Sequence, residues 1–257
     1  MEPREFDAMF AVEDRHWWYR GLRNEIERAV RRFAPLQGPW LDAGCGTGGL
    51  LANLAMIAPG TGIDTSPIGL RLARSRGLTR LARASVSSLP FADEVFAVIT
   101  SVDVLAHTEA DAPQALREHF RCLRPGGLLV LQLPAFEALR GRHDDAVWTT
   151  RRHRKREVSE MLRSSGFGVH EIFYRNSLLF PVAAMLRLLA RRASAGEPRS
   201  DVSAVAAPIN AALYGILELD AFLRRAGLGL PFGLSVFCVA RREDRIGRPN
   251  AYERGPG

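Results

Sequence analysis

Leu41-Asp42-Ala43-Gly44-Cys45-Gly46-Thr47-Gly48-Gly49 is the stretch on which the reading of this chain turns. The apolar pair Trp40-Leu41 runs straight into it, as a short buried strand would. Glycines directly after a strand let the backbone turn tightly and approach a ligand closely. Read literally, Gly44-x-Gly46-x-x-Gly49 also fits a dinucleotide fingerprint, a weak pattern when alone. Asp42 separates the two readings. A pyrophosphate in that loop would meet its carboxylate at close range, which costs energy, whereas a cationic ligand group would be attracted. NAD chemistry is therefore disfavoured.

Working outward, Gly62-Ile63-Asp64 reads as the end of the next strand. Asp64 lies roughly twenty residues after Asp42, where α/β nucleoside sites place the carboxylate that holds the ribose hydroxyls. The competing role for Asp64, capping the helix that starts near Ile68, suits Ser66 better, with Pro67 in the first turn. Val95–Ser101, Leu128–Leu133, 167–174 and Leu234–Ala240 read as strands; Leu50–Ile57, 67–76, Pro113–Leu123 and 154–165 read as helices. Strands alternating with helices predict an α/β fold: a Rossmann-like, mostly parallel seven-stranded sheet with helices on both faces.

Two segments depart from that rhythm. Residues 6–33 show helical spacing and predict one helix, so 1–37 forms an N-terminal helical lid. Residues 177–232 carry two apolar, helical stretches separated by a flexible loop at 193–201. They predict a helical cap inserted before the last strand, 233–242, while 38–176 form the core and 243–257 a flexible tail.

Composition bounds the chemistry. The chain has 257 residues, 47% hydrophobic and 25% charged, which fits a globular protein and excludes a wholly disordered or collagenous one. The net charge is +7, and Lys155 is the single lysine. Cys45, Cys122 and Cys238 are odd in number and widely spaced, which suits neither a disulfide framework nor a zinc site. The six histidines lack metal spacing, so no metal is expected. The N-terminus has no apolar h-region, and a cytoplasmic protein is expected.

The segments Asp42–Gly48, Gly62-Ile63-Asp64, Ser85-x-x-x-Leu89-Pro90-Phe91, Ser101–His107 and Leu123-Arg124-Pro125-Gly126-Gly127 occur in this order. Together they resemble the class I S-adenosylmethionine-dependent methyltransferases of the small-molecule type, over residues 38–175. His16-Trp17-Trp18-Tyr19-Arg20-Gly21 is similar to a bacterial subgroup of them. The resemblance implies S-adenosylmethionine as methyl donor and S-adenosylhomocysteine as product. It implies that Gly44, Gly46 and Gly48 line the methionine part, with Cys45 also at the cofactor, and Asp42 can anchor the ammonium directly or through water and the loop. Asp64 would hold the ribose, Thr65 would also bind the cofactor, Ser85 and Val86 would meet the adenine, and Ser101 would lie near the sulfonium. Ser85 stands where many relatives carry Asp, and serine accepts the adenine amino hydrogen more weakly. Phe96-Ala97 departs from a frequent Phe-Asp, which puts a hydrogen bond near the strand start in doubt.

From His16–Arg23, Trp18 would cover the cofactor, and Arg20 or Arg23 would pair with its carboxylate; packing of these aromatics on the sheet is the competing reading. His143, followed by Asp144 and Asp145, and His107 are the candidate bases. Arg151–Arg156 reads as a solvated helix start. No Asn/Asp-Pro-Pro-Tyr/Phe motif ends the fourth strand and no Pro-Cys pair occurs, so a nucleic-acid substrate is not expected. The expected function is methyl transfer to an O, N or C nucleophile of a small, apolar metabolite. A membrane-surface lipid or prenyl-type methyltransferase and a non-catalytic cofactor-binding partner subunit stay open as alternatives. The apolar insertion leaves a peripheral membrane contact and a homodimer face open as well.

Overall fold

A computed structural model describes residues 1–34, 38–54, 59–192 and 204–243. Seven strands form one sheet: β1 (Trp40–Ala43), β2 (Gly60–Asp64), β3 (Leu81–Arg83), β4 (Phe96–Val102), β5 (Leu123–Pro134), β6 (Phe167–Arg175) and β7 (Ser235–Arg242). The order across it is β3-β2-β1-β4-β5-β7-β6. The pairs from β3 to β5 are parallel, and β7 runs antiparallel to both β5 and β6. The mostly parallel architecture expected from the alternation is thus present. The order reverses between β1 and β4, so the carboxyl ends of these two strands open a crevice where α/β folds bind ligands.

Alternating residues serve two cores. Leu41, Ala43, Ile99, Leu129 and Leu131 face Leu116 of α5 (Ala112–Cys122) and Val158 and Leu162 of α7 (Lys155–Ser164). Trp40, Val98, Leu128, Val130 and Phe237 face Leu22, Ile26 and Ala29 of α2 (Trp17–Phe33) and Leu51 of α3 (Gly49–Leu54). This two-residue period is what a sheet covered on both faces requires. α4 (Pro67–Ser75) starts as its sequence predicts, with Pro67 in the first turn and the Ser66 hydroxyl accepting from Gly69 N–H at 3.2 Å.

The N-terminal segment corrects one expectation. It forms two helices, α1 (Pro3–Val12) and α2, rather than one spanning 6–33. Glu13 closes α1, still in helical conformation with its N–H donating to Met9 O, and its carboxylate accepts hydrogen bonds from Thr47 and Arg76; His16 caps α2 by accepting from Trp18 N–H. Neither interaction has a local sequence signature. The short edge strand β3 and the five-residue α6 (Arg142–Ala146) also escaped the periodic reading.

Two helices lie between β6 and β7, α8 (Phe180–Arg192) and α9 (Ala207–Arg225). α9 packs on α2: Asn24 donates to Tyr214 and Glu218, and Asn210 Oδ1 accepts from Trp17 N–H at 2.8 Å. Asp220 anchors the start of the insertion by accepting from the N–H groups of Asn176, Ser177 and Leu178. The expected loop at 193–201 and most of the expected tail lie outside the described residues.

Candidate active site

A cavity of about 1060 Å³ opens at the carboxyl ends of β1, β2 and β4. One end is walled by Gly44, Gly46, Asp64–Pro67, Ser85 and Val86. The other is walled by Trp17, Trp18, Tyr19, Leu22, Asp103, His143, Arg152 and Leu186.

The glycine loop needs its glycines. Gly44 has φ +90°, and a Cβ there would sit 2.2 Å from Val104 Cγ2. Gly48 has φ +79°, and a Cβ would crowd Ala73 and Leu78. Gly46 faces the cavity, and its N–H donates to Asp64 Oδ2 at 2.9 Å. Ser66 N–H donates to Asp64 Oδ1 at 2.8 Å. Each carboxylate oxygen has lone-pair capacity beyond these bonds, so Asp64 is held rigidly while still able to accept ligand hydroxyls. Burial pushes its carboxyl above the ordinary range, against the two backbone donors that pull it down.

Of the other residues expected at the nucleoside, Thr65, Ser85 and Val86 line the same end. Thr65 Oγ1 donates to Glu109, and Ser85 Oγ accepts from Ser87 N–H at 3.2 Å. Cys45, Gly48, Ser101 and Asp42 do not line the cavity; they support its floor. Cys45 and Ser101 are buried. Asp42 is buried beneath the loop and accepts from Thr100 Oγ1 at 2.7 Å. Burial, with Asp64 and Glu13 nearby, pushes its carboxyl up to about 7, while the Thr100 hydroxyl opposes this.

The N-terminal helices roof the site. Phe6 and Met9 of α1 and Trp17, Trp18 and Tyr19 of α2 line the cavity. Glu13 ties the end of α1 to the glycine loop. It accepts from the Thr47 hydroxyl and from Arg76 Nη2, the latter at 2.7 Å, and Asp14 adds a further pair with Arg76 at 2.9 Å. The arginines do not follow the aromatics inward and do not line the cavity. Arg20 lies over the Tyr214 ring, 4.0 Å from its centroid. Arg23 donates to the carbonyls of Glu13 and Asp14. Helical spacing turns positions 17, 18, 19 and 22 to the cavity and leaves 20 and 23 on other faces.

His107 and His143 both reach the cavity wall. Burial, reinforced by the nearby N-terminal ammonium, lowers His107 to about 4, so it is neutral at physiological pH and a weak base. The Asp144 carboxylate, next to His143 in the chain, is held by Arg152, whose Nε and Nη2 donate at 2.9 and 3.0 Å while Nη1 donates to Ala135 O. The expectation of a solvated basic run fails at Arg152 and His153, which are buried beside β5, and holds at Arg156, which is exposed. Among the described residues no group of His, Cys, Asp or Glu gathers as a metal site would require.

One residue at the site has no counterpart in the sequence reading. Asp103 follows β4 in the left-handed conformation, φ 59° and ψ 6°. Its Oδ2 accepts from Gln132 Nε2 at 3.0 Å, and Gln132 Oε1 accepts from Arg175 Nη1 at 2.6 Å. Only its place at a strand's carboxyl end, beside the switch in strand order, hinted at function.

The switch-point crevice, the glycine loop and the paired acid Asp64 are built by a stretch of the chain that matches a methyltransferase domain. Residues 41–131 match the family described as Methyltransferase domain. The chain is 36% identical over 140 residues to the uncharacterized methyltransferase YodH of Bacillus subtilis (strain 168), covering 50% of this chain and 59% of that protein. It is 36% identical over 130 residues to the demethylmenaquinone methyltransferase of Thermus thermophilus, covering 47% and 56%. The aligned parts span less than two thirds of these relatives. Among solved structures, one chain of the complex between the Haloferax volcanii Trm112 methyltransferase activator and a methyltransferase superposes with a TM-score of 0.60. The identity is 21%, and the match covers 95% of this chain and 98% of that one. A geranyl diphosphate methyltransferase with GPP and sinefungin superposes with a TM-score of 0.55 at 18% identity, covering 85% and 77%. These structures share the fold.

Proposed function

We propose that the chain transfers the methyl group of S-adenosylmethionine to an O, N or C nucleophile of a small, apolar metabolite. The carrying observation is the cavity that joins the glycine loop and Asp64 at one end to an aromatic and aliphatic chamber at the other.

The residues fit the donor. Gly44 and Gly46 give a surface without side chains, and Asp64 presents a fixed acceptor to vicinal hydroxyls. Thr65, Ser85 and Val86 continue the wall where the nucleoside would extend. S-adenosylmethionine supplies an electrophilic methyl group on a sulfonium, which needs alignment more than activation. The chain's contribution is to hold the acceptor in line and keep water out. α1 and the aromatic start of α2 serve the second purpose, tied over the loop by Glu13, Thr47 and Arg76. Trp17, Trp18, Tyr19 and Leu22 favour an apolar acceptor body.

A membrane-surface reading, with a lipid or prenyl-type acceptor, is favoured by one observation. Val182, Met185, Leu186 and Leu189 are exposed along one face of α8, and Leu186 also lines the cavity. The name of the demethylmenaquinone methyltransferase of Thermus thermophilus agrees with such an acceptor. No described helix is long and apolar enough to cross a membrane.

The test is calorimetric titration with S-adenosylhomocysteine, with NAD as control, on wild type and Asp64→Ala. The wild type is expected to bind the nucleoside and not NAD. Losing a charged acceptor is worth about 1.5–3 kcal/mol, so the variant should bind roughly 10- to 150-fold more weakly. Preference for NAD, or equal binding by the two proteins, would refute the reading.

A further inference from the structure

α1 roofs the glycine loop closely. A Cβ at Gly46 would meet Met9 Cε at 3.1 Å, and one at Gly69 would meet both Phe6 and the Gly46 carbonyl. Glu5 precedes Phe6 on this helix and lines the same cavity.

The other carboxylates of the cavity wall are held. Asp64 accepts from the N–H groups of Gly46 and Ser66, Glu109 from the Thr65 hydroxyl, Asp103 from Gln132, and Asp144 from Arg152. Glu5 is not. It is 5% exposed, yet no donor among the described residues bonds to its side chain. The ion pair that reaches it, from the mostly exposed Arg4, is 4.0 Å long. Neither oxygen is sealed, so the carboxylate stays open to the cavity. The guanidiniums that line the cavity are engaged elsewhere: Arg83 donates to Thr65 O, Arg152 to Asp144 and Arg187 to Leu139 O. A buried carboxylate without donors or a close cation is costly, and one that opens on a ligand cavity is matched by a cation that arrives. Tyr19 reports where the charge lies. Burial pushes its phenol up, and Glu13, Asp103 and Glu5 push it further, so roof and wall act on one point of the cavity.

We propose that Glu5 senses the charge of the methyl donor, so that α1 closes on the sulfonium cation and loosens over the neutral product. The inference rests on the methyltransferase reading and deepens it by giving a roof residue the task of telling donor from product. In the transfer, the acceptor's electron pair makes the new bond to the methyl carbon. The pair of the broken sulfur–methyl bond stays on sulfur, which becomes a neutral thioether. The positive charge passes to the acceptor and leaves as a proton released to solvent. Glu5 then lacks its counter-charge, and the cost of burying it falls on the closed position of α1. The ties of Glu13 to Thr47 and Arg76, two turns further along, do not involve the sulfur. The opening is therefore expected in the turns around Glu5.

The probes are sinefungin, which carries an ammonium where the donor has its sulfonium, and S-adenosylhomocysteine, which has no charge there. Both are titrated calorimetrically. The readout is the ratio of the two affinities within one protein, in which a general loss of folding or binding cancels. The wild type should favour sinefungin at least about tenfold, or 1.4 kcal/mol. Glu5→Gln should bring the ratio within about threefold, and Glu5→Asp, with the charge on a shorter stem, should retain part of it. Amide exchange over Pro3–Val12 at saturation should be slowed more by sinefungin than by S-adenosylhomocysteine in the wild type, and equally in Glu5→Gln. Equal affinities in the wild type would overturn the proposal, because a Glu5 that serves the amino-acid ammonium common to both ligands gives that result. A preference that persists in Glu5→Gln would overturn it as well. Failure of the wild type to bind either ligand would instead overturn the methyltransferase reading beneath it.

Discussion

Replacing Asp42 by asparagine should stabilise the protein, and only toward alkaline pH. Asp42 is 3% exposed and has one side-chain donor, the Thr100 hydroxyl. Burial raises its carboxyl from the ordinary 3.8 to about 7. The folded state therefore binds this proton more tightly than the unfolded state does. The group's stabilising contribution is complete below about pH 4 and is lost as pH rises toward 7. About three pH units at ~1.4 kcal/mol each make the ionised form cost about 4 kcal/mol at pH 8. The asparagine amide keeps an oxygen for Thr100 and carries no charge. The two proteins should melt alike near pH 4, and D42N should melt roughly 10 °C higher at pH 8. Thermal melts from pH 4 to 8 measure this directly. The difference between the variants cancels the carboxylates they share. A gap independent of pH, or a D42N protein less stable at pH 8, would refute the reasoning.

Two further outcomes are expected. Glu13→Gln loosens the tie between α1 and the glycine loop, although Arg76 keeps Asp14. Amide exchange over Pro3–Val12 should quicken about tenfold while the sheet is unchanged, because the opening is local. Arg152→Ala leaves Asp144 buried and without its guanidinium, which should cost about 3–5 kcal/mol in urea unfolding. Arg152→Lys should recover only part of that, because an ammonium cannot repeat the two parallel bonds.

The features written locally were legible. Gly44–Gly49 and Asp64 follow strand ends, and Ser66-Pro67 carries its helix start within four residues. What escaped depends on contacts across the chain. The side chain that closes the first helix, Glu13, is held by Thr47 and Arg76, 34 and 63 residues away. Arg20 was expected at the cofactor because a charged residue beside aromatics suggests a ligand; periodicity does not say which helical face meets the cavity. Asp103 draws its character from a backbone torsion and from Gln132 and Arg175, and nothing around it in sequence announces either.

The antiparallel β7 also sets an order of assembly. Among the described residues β6 pairs only with β7, and β7 fills the place between β5 and β6. During synthesis the chain must extend through α8 and α9 before the connecting strand exists. At roughly 5–20 residues per second, about sixty residues keep β6 waiting for several seconds. Through that interval β6 presents Phe173 and Tyr174 with both of its edges open, the state in which a strand recruits the wrong partner. The half of the sheet that carries the glycine loop, β1 to β4, needs nothing from this late segment to pair. The half in which Gln132 and Arg175 hold Asp103 is completed last.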